Sequence, residues 1–177
     1  MAALRRYQWI QRRFLKNPEL KREYSEFIAE YIQLGHMVPA VSFSDNNNSP
    51  SFYLPHHVVL KPSSTTTKCR VVFDGSCKSS TGISINDCLM VGPTVQDPLY
   101  AIAMRFRMYD VALVADITKM YRQIWVHPYD MRLQLVHWQN ETDQHVRSYE
   151  LTTVTYGTAC ASYLATRCLQ QLYYDHA

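Results

Sequence analysis

Asp116 stands directly after the uninterrupted apolar run 111–115, and Tyr121 follows five residues later across a short polar turn, in the sequence VADITKMYRQI. A carboxylate delivered by a buried strand suits a hard cation, because magnesium takes oxygen ligands and needs only one or two protein carboxylates beside substrate phosphates. An aromatic ring at Tyr121 would then sit beneath an incoming sugar, where its bulk excludes a ribose 2′-hydroxyl. An aspartate after a strand is also a common turn former or helix cap. A tyrosine five residues on is as readily a core aromatic, so this segment by itself leaves both readings open.

Two further segments carry groups that could meet a phosphate or a base. In KCRVVFD, residues 68–74, Arg70 offers a planar fork that matches phosphate oxygens, and Lys61 and Lys68 add point charges near the same hairpin tip. The plain alternative is a solvated basic hairpin, and Asp74 reads as the partner of a neighbouring cation rather than a metal ligand. In VTYGTACASYLATRCL, residues 154–169, Gly157 after Tyr156 lets backbone approach a flat ligand closely. The same glycine also suits an ordinary strand-to-helix turn in a left-handed conformation.

The elements that must position these groups alternate irregularly. Residues 2–15 form a helix. Asn17-Pro18 starts a second, with Asn17 as N-cap and Pro18 at the first helical position. Leu20, Tyr24, Phe27, Ile28 and Tyr31 fall on one face, and Gly35 ends it. This aromatic stripe reads as core packing. The run 42–51 is a polar surface loop, and beyond it residues 52–54, 58–60 and 70–73 read as short strands, the last two a hairpin around 61–68. An irregular stretch, 75–92, leads to a helix capped by Asp97-Pro98 and running to about Met108. Residues 111–115 read as a buried strand, 124–126, 133–136 and 146–151 as further strands, with a turn at 140–144, and 159–173 as a helix. The mixture is an α+β fold.

Bulk properties narrow the classes. A chain of 177 residues, 47% hydrophobic and 19% charged, can bury one real core. Its apolar stretches fall far short of the roughly 20 residues that span a bilayer, and it opens on a basic amphipathic segment. A cytoplasmic or nuclear location away from membranes is the expectation. Five cysteines without a CxxC pair indicate neither a disulfide framework nor a zinc site, and read as reduced, mostly buried thiols. A net charge of +3 does not by itself establish a polyanionic partner. Its distribution favours phosphate-backbone contact, with Arg5, Arg6, Arg12, Arg13, Lys16, Lys21 and Arg22 crowded at the start and Lys78, Arg105 and Arg107 in the middle.

Taken in order, KCRVVFD, VADITKMYRQIWVHPYD and TYGTACASYLATRCL resemble the reverse transcriptases of long-terminal-repeat retrotransposons, most closely the BEL/Pao group. YIQLGHM, YLPHHVVLKPSSTTTK and INDCLMVGPTVQDPL extend the resemblance, which runs from about Tyr24 onward. It implies a right-hand polymerase: a helical segment and polar loop over 1–50, fingers over 51–110 and part of the palm over 111–177. It implies that Asp116 is the first magnesium-binding, catalytic aspartate and Tyr121 the sugar gate. Arg70 is then the fingers arginine on the triphosphate, with Lys61 and Lys68 as fingertip lysines. Tyr156 and Gly157 open the segment that packs on the nascent base pair and template. The implied partners are an RNA or DNA template with a DNA primer, deoxynucleoside triphosphates, and the rest of the retrotransposon polyprotein.

The departure from the pattern is equally specific. The family carries two more aspartates in a Tyr-x-Asp-Asp hairpin after the last helix, and this sequence does not contain it. Tyr173-Tyr174-Asp175-His176 echoes it only superficially, following a helix without a strand or turn. Two-metal nucleotidyl transfer needs carboxylates that hold both ions, so the 177 residues are expected to be inactive alone. The alternative is a non-catalytic nucleic-acid-binding remnant. Interior strands left without partners also predict poor solubility or marginal stability.

Overall fold

The computed structural model describes residues 2–40, 50–60 and 69–176. Lys61 and Lys68, with the hairpin tip that carries them and most of the loop 42–51, lie outside the described residues. Two helices open the chain. In α1 (Ala2–Lys16), Ala3, Tyr7, Ile10 and Phe14 recur every three or four residues and are buried. In α2 (Pro18–Gln33), the Asn17 side chain accepts the Leu20 N–H at 3.0 Å and Pro18 takes the first position, as the sequence indicates. Leu20, Tyr24, Ile28 and Tyr31 are buried along one face, so the aromatic stripe packs the core. Gly35, at φ +70°, turns the chain out of the helix.

Two antiparallel sheets follow. The first is the anticipated hairpin, β2 (His56–Leu60) on β3 (Cys69–Phe73), with Val59 opposite Arg70. The second has the order β1-β5-β4, from β1 (Met37–Pro39), β4 (Leu135–Trp138) and β5 (Arg147–Leu151). The turn at 140–144 joins β4 to β5, as expected. β1 was not foreseen: three residues are too few to display an alternation, and Pro39 is tolerated because β1 is an edge strand. Residues 52–54 add to β4 by a parallel bridge, Tyr53 to Leu135. Residues 124–126 pair with 152–154 through Val126 N to Thr152 O at 2.8 Å and Val154 N to Ile124 O at 2.9 Å.

One hydrophobic core joins α1, α2 and both sheets through Tyr7, Phe14, Tyr24, Tyr31, Val71, Phe73, Trp138, Tyr149 and Leu151. It contains a histidine. His56 is buried; its Nδ1 is bonded to the Tyr24 hydroxyl, and its Nε2 lies 2.9 Å from the His137 carbonyl oxygen. That carbonyl can only accept, so the ring donates from Nε2 and accepts the Tyr24 hydroxyl at Nδ1. Asp74 lies 3.7 Å from Arg6, the structural pairing expected of it.

The remaining helices are α3 (Ile85–Cys88), α4 (Leu99–Phe106), α5 (Pro128–Met131) and α6 (Ala161–His176). The short α3 interrupts the irregular stretch and starts at a capping box in which Ser84 and Asp87 satisfy each other's backbone N–H groups. Tyr173, Tyr174, Asp175 and His176 lie in the last turn of α6, not on a hairpin. Among the described residues, no helix is long and apolar enough to cross a membrane.

Three expectations are corrected. Residues 111–115 form no strand: Val111, Leu113 and Val114 are 74%, 88% and 86% exposed, and no strand pairs with them among the described residues. An apolar run signals a need for cover without saying what supplies it. Asp97 caps no helix. Its carboxylate lies 2.6 Å from Arg105 instead, and α4 begins after Pro98 without a side-chain cap. The five cysteines are free but none is fully buried, and Cys88 is exposed. Cys69 opens β3 and packs at the edge of the core, while the others lie on the loop after β3, on α3 and at or within α6.

Candidate functional site

Arg70, Tyr121 and Tyr156, singled out separately in the sequence, line one cleft of about 480 Å³. Besides the junction that carries Tyr156, three elements converge there. α2 contributes Phe27, Glu30 and Tyr31, β3 contributes Cys69 and Arg70, and the turn after Asp116 contributes residues 119–122. Arg70 is exposed and enters no ion pair among the described residues. Its guanidinium is therefore available to an anion.

Tyr121 rides on a 3₁₀ turn, Met120–Gln123, that begins after Lys119 in the left-handed conformation at φ 54°. Its hydroxyl lies 3.3 Å from the Ser162 hydroxyl on α6. Below it, Arg122 is 7% exposed and has three partners: Glu30 at 3.3 Å, His36 Nδ1 at 2.9 Å, and the face of the Tyr31 ring at 4.0 Å from its centroid. Lys119 pairs with the same Glu30 oxygen. The Lys119 hydrogen bond, with the Arg122 charge behind it, holds the Glu30 carboxyl below the usual carboxylate range. Burial, then the Arg122 and Lys119 charges, pushes His36 below its ordinary value. His36 thus stays neutral and can accept from Arg122.

Tyr156 and Gly157 are fixed against β3. The Tyr156 hydroxyl donates to the Val71 carbonyl at 2.6 Å, and burial raises its pKa, with Arg122 and Arg70 opposing. Gly157 has φ +95°, and a Cβ there would lie 2.1 Å from the Phe73 carbonyl oxygen. The glycine makes the strand-to-helix turn, and what its backbone approaches closely is β3. Asn86 locks the junction by donating to the Gly157 carbonyl at 3.1 Å and accepting from the Ala159 N–H at 2.8 Å.

Asp116 is exposed and does not line the cleft. Among the described residues, no three His, Cys, Asp or Glu side chains come together to hold a metal. Asp116 is a single carboxylate, and one carboxylate does not hold the pair of ions that two-metal nucleotidyl transfer uses. The His127 ring accepts the Tyr129 N–H at 3.3 Å at the start of α5.

The sequence reading missed Glu30, Lys119 and Arg122. Lys119 and Arg122 flank Tyr121 at a spacing that gives no period, and Glu30 sits on the mixed face of α2 beside the buried stripe. A larger cavity, about 610 Å³, lies between α1, the start of α2 and the residues after β4. It holds none of the residues singled out for catalysis or nucleotide binding, and Lys21 there is paired with Glu141 at 2.9 Å. The smaller cleft carries the chemical argument. No protein-family model matches the chain, and no curated protein matches it either.

Proposed function

We propose that this chain is the fingers and the front part of the palm of a reverse transcriptase from a long-terminal-repeat retrotransposon, of the BEL/Pao kind. One observation carries the reading: Arg70, Tyr121 and Tyr156, drawn from three separate segments, meet in one cleft. A guanidinium without an ion partner among the described residues, beside aromatic rings, suits a nucleoside triphosphate, with the fork on phosphate oxygens and the rings against sugar and base. The partners on this reading are a primed RNA or DNA template and the remainder of the polyprotein, in the cytoplasm or nucleus.

The bare run 111–115 fits the same proposal. Strands from the rest of the polyprotein would cover it, bring Asp116 toward the cleft and supply the further carboxylates that magnesium needs. In a complete polymerase carrying this segment, Asp116→Asn should abolish deoxynucleotide incorporation while leaving primer-template binding nearly intact. Tyr121→Ala should admit ribonucleotides. Normal primer extension by the Asp116→Asn protein would overturn the proposal.

A second reading, nucleic-acid binding without chemistry, is favoured by the separation of Asp116 from the cleft. The exposed Arg5, Arg12 and Lys16 on α1 would then contact phosphate backbone. Primer-template binding that weakens steeply with salt, with no extension in the complete protein, would select it.

A further inference from the structure

We infer that Glu30 is the positioning residue for Tyr121: a single carboxylate on α2 holds the turn that carries the ring at both of its ends, and so sets how closely the ring approaches a sugar in the cleft. This rests on the proposal that the cleft takes a nucleoside triphosphate.

Beside Glu30, the turn is held by the Gln123 side chain, which donates to the Thr118 carbonyl at 3.0 Å, and by the Ser162 contact of Tyr121. Lys119 and Arg122 bracket Met120 and Tyr121, and both reach the same Glu30 oxygen. The Arg122 N–H also donates to the Lys119 carbonyl at 2.7 Å, closing the turn between the two paired residues. Arg122 is further fixed by Tyr31 and His36 and would stay in place without Glu30. Lys119 would not. It is 41% exposed at its side chain, Glu30 is its only ion partner among the described residues, and its backbone occupies a left-handed conformation that a lysine adopts at a cost. Loss of the carboxylate therefore frees the end of the turn two residues before Tyr121. The ring itself has only the 3.3 Å contact with Ser162 to restrain its hydroxyl.

An ion pair at this level of exposure contributes little to global stability. Its effect is local, which makes a binding ratio the decisive measurement. Equilibrium dialysis of the 177-residue chain with deoxyadenosine triphosphate and adenosine triphosphate, in magnesium buffer, compares ligands that differ only in the 2′-hydroxyl.

The wild type should favour the deoxynucleotide by about tenfold, a difference of about 1.4 kcal/mol. In Glu30→Gln the ratio should fall toward one, with deoxynucleotide affinity changed less than about threefold. Glu30→Asp, which keeps the charge on a shorter stem, should give an intermediate ratio and guards against a folding defect in the amide variant. If both affinities rise together in Glu30→Gln and the ratio holds, Glu30 merely screens the cleft cations and the inference is overturned, while the nucleotide reading stands. If Tyr121→Ala keeps the wild-type ratio, or the wild type binds neither nucleotide, the nucleotide reading itself fails and takes this inference with it.

Discussion

Acid should unfold this protein through His56. The ring is fully enclosed, and burial lowers its pKa from an ordinary 6.5 to about 4, against a raising contribution from the hydrogen bond to the His137 carbonyl. Unfolded chains bind a proton near the ordinary value, whereas the folded protein resists until the pH is far lower. Stability is therefore complete above the unfolded pKa and is lost as pH falls from there toward the folded one. The full displacement corresponds to about 3 kcal/mol, of which about 2 kcal/mol is lost between about pH 7 and about pH 5. His36 and His137 are also lowered by burial and add to the same slope; Glu150, raised by burial, opposes it.

Urea unfolding at the two pH values measures the total, and Trp138 is a built-in reporter. It is 4% exposed and stacks on Tyr24 at 5.6 Å, whereas Trp9 and Trp125 are 52% and 64% exposed. In His56→Gln the amide can still accept from Tyr24 and donate to the His137 carbonyl, so the fold should persist at some cost. The pH-dependent loss should shrink by about 2 kcal/mol relative to wild type. An unchanged pH slope in that variant would show that the ring is not the buried acid sensor.

Gly157→Ala should cost on the order of 3 kcal/mol, since it combines a positive φ with a Cβ inside contact distance of the Phe73 carbonyl. A thermal melt within a few degrees of wild type would contradict the packing of this turn on β3. Separately, the exposed run 111–115 should drive self-association at micromolar concentration. Leu113→Lys, removing an apolar side chain that contributes about 2 kcal/mol on burial, should weaken it by more than tenfold in sedimentation equilibrium. A wild-type monomer with a sharp cooperative melt would refute that expectation.

Much of the scaffold was legible because its signals are local. Asn17-Pro18 announces a helix start through an oxygen that can accept a backbone N–H and a ring that fixes φ. The 3.6-residue spacing of Leu20, Tyr24, Ile28 and Tyr31 then names the buried face. The 56–60 and 69–73 hairpin shows itself by β-branched runs around a polar bend. What was not legible depends on distant partners. β1 exists because β5 offers an edge, and Glu30 meets Lys119 and Arg122 only when they arrive from about 90 residues away.

That distinction also explains why Arg70, Tyr121 and Tyr156 meet and Asp116 does not join them. Arg70 belongs to a strand paired along its length with β2, Tyr121 to a turn held on α2, and Tyr156 to a junction bonded to Val71 and locked by Asn86. Each is anchored by groups within the described residues. Asp116 follows an exposed apolar run that pairs with no strand among the described residues. The binding groups and the acidic group are thus under separate structural control. On the proposed function, the nucleotide contacts of Arg70, Tyr121 and Tyr156 can be assayed apart from any chemistry at Asp116.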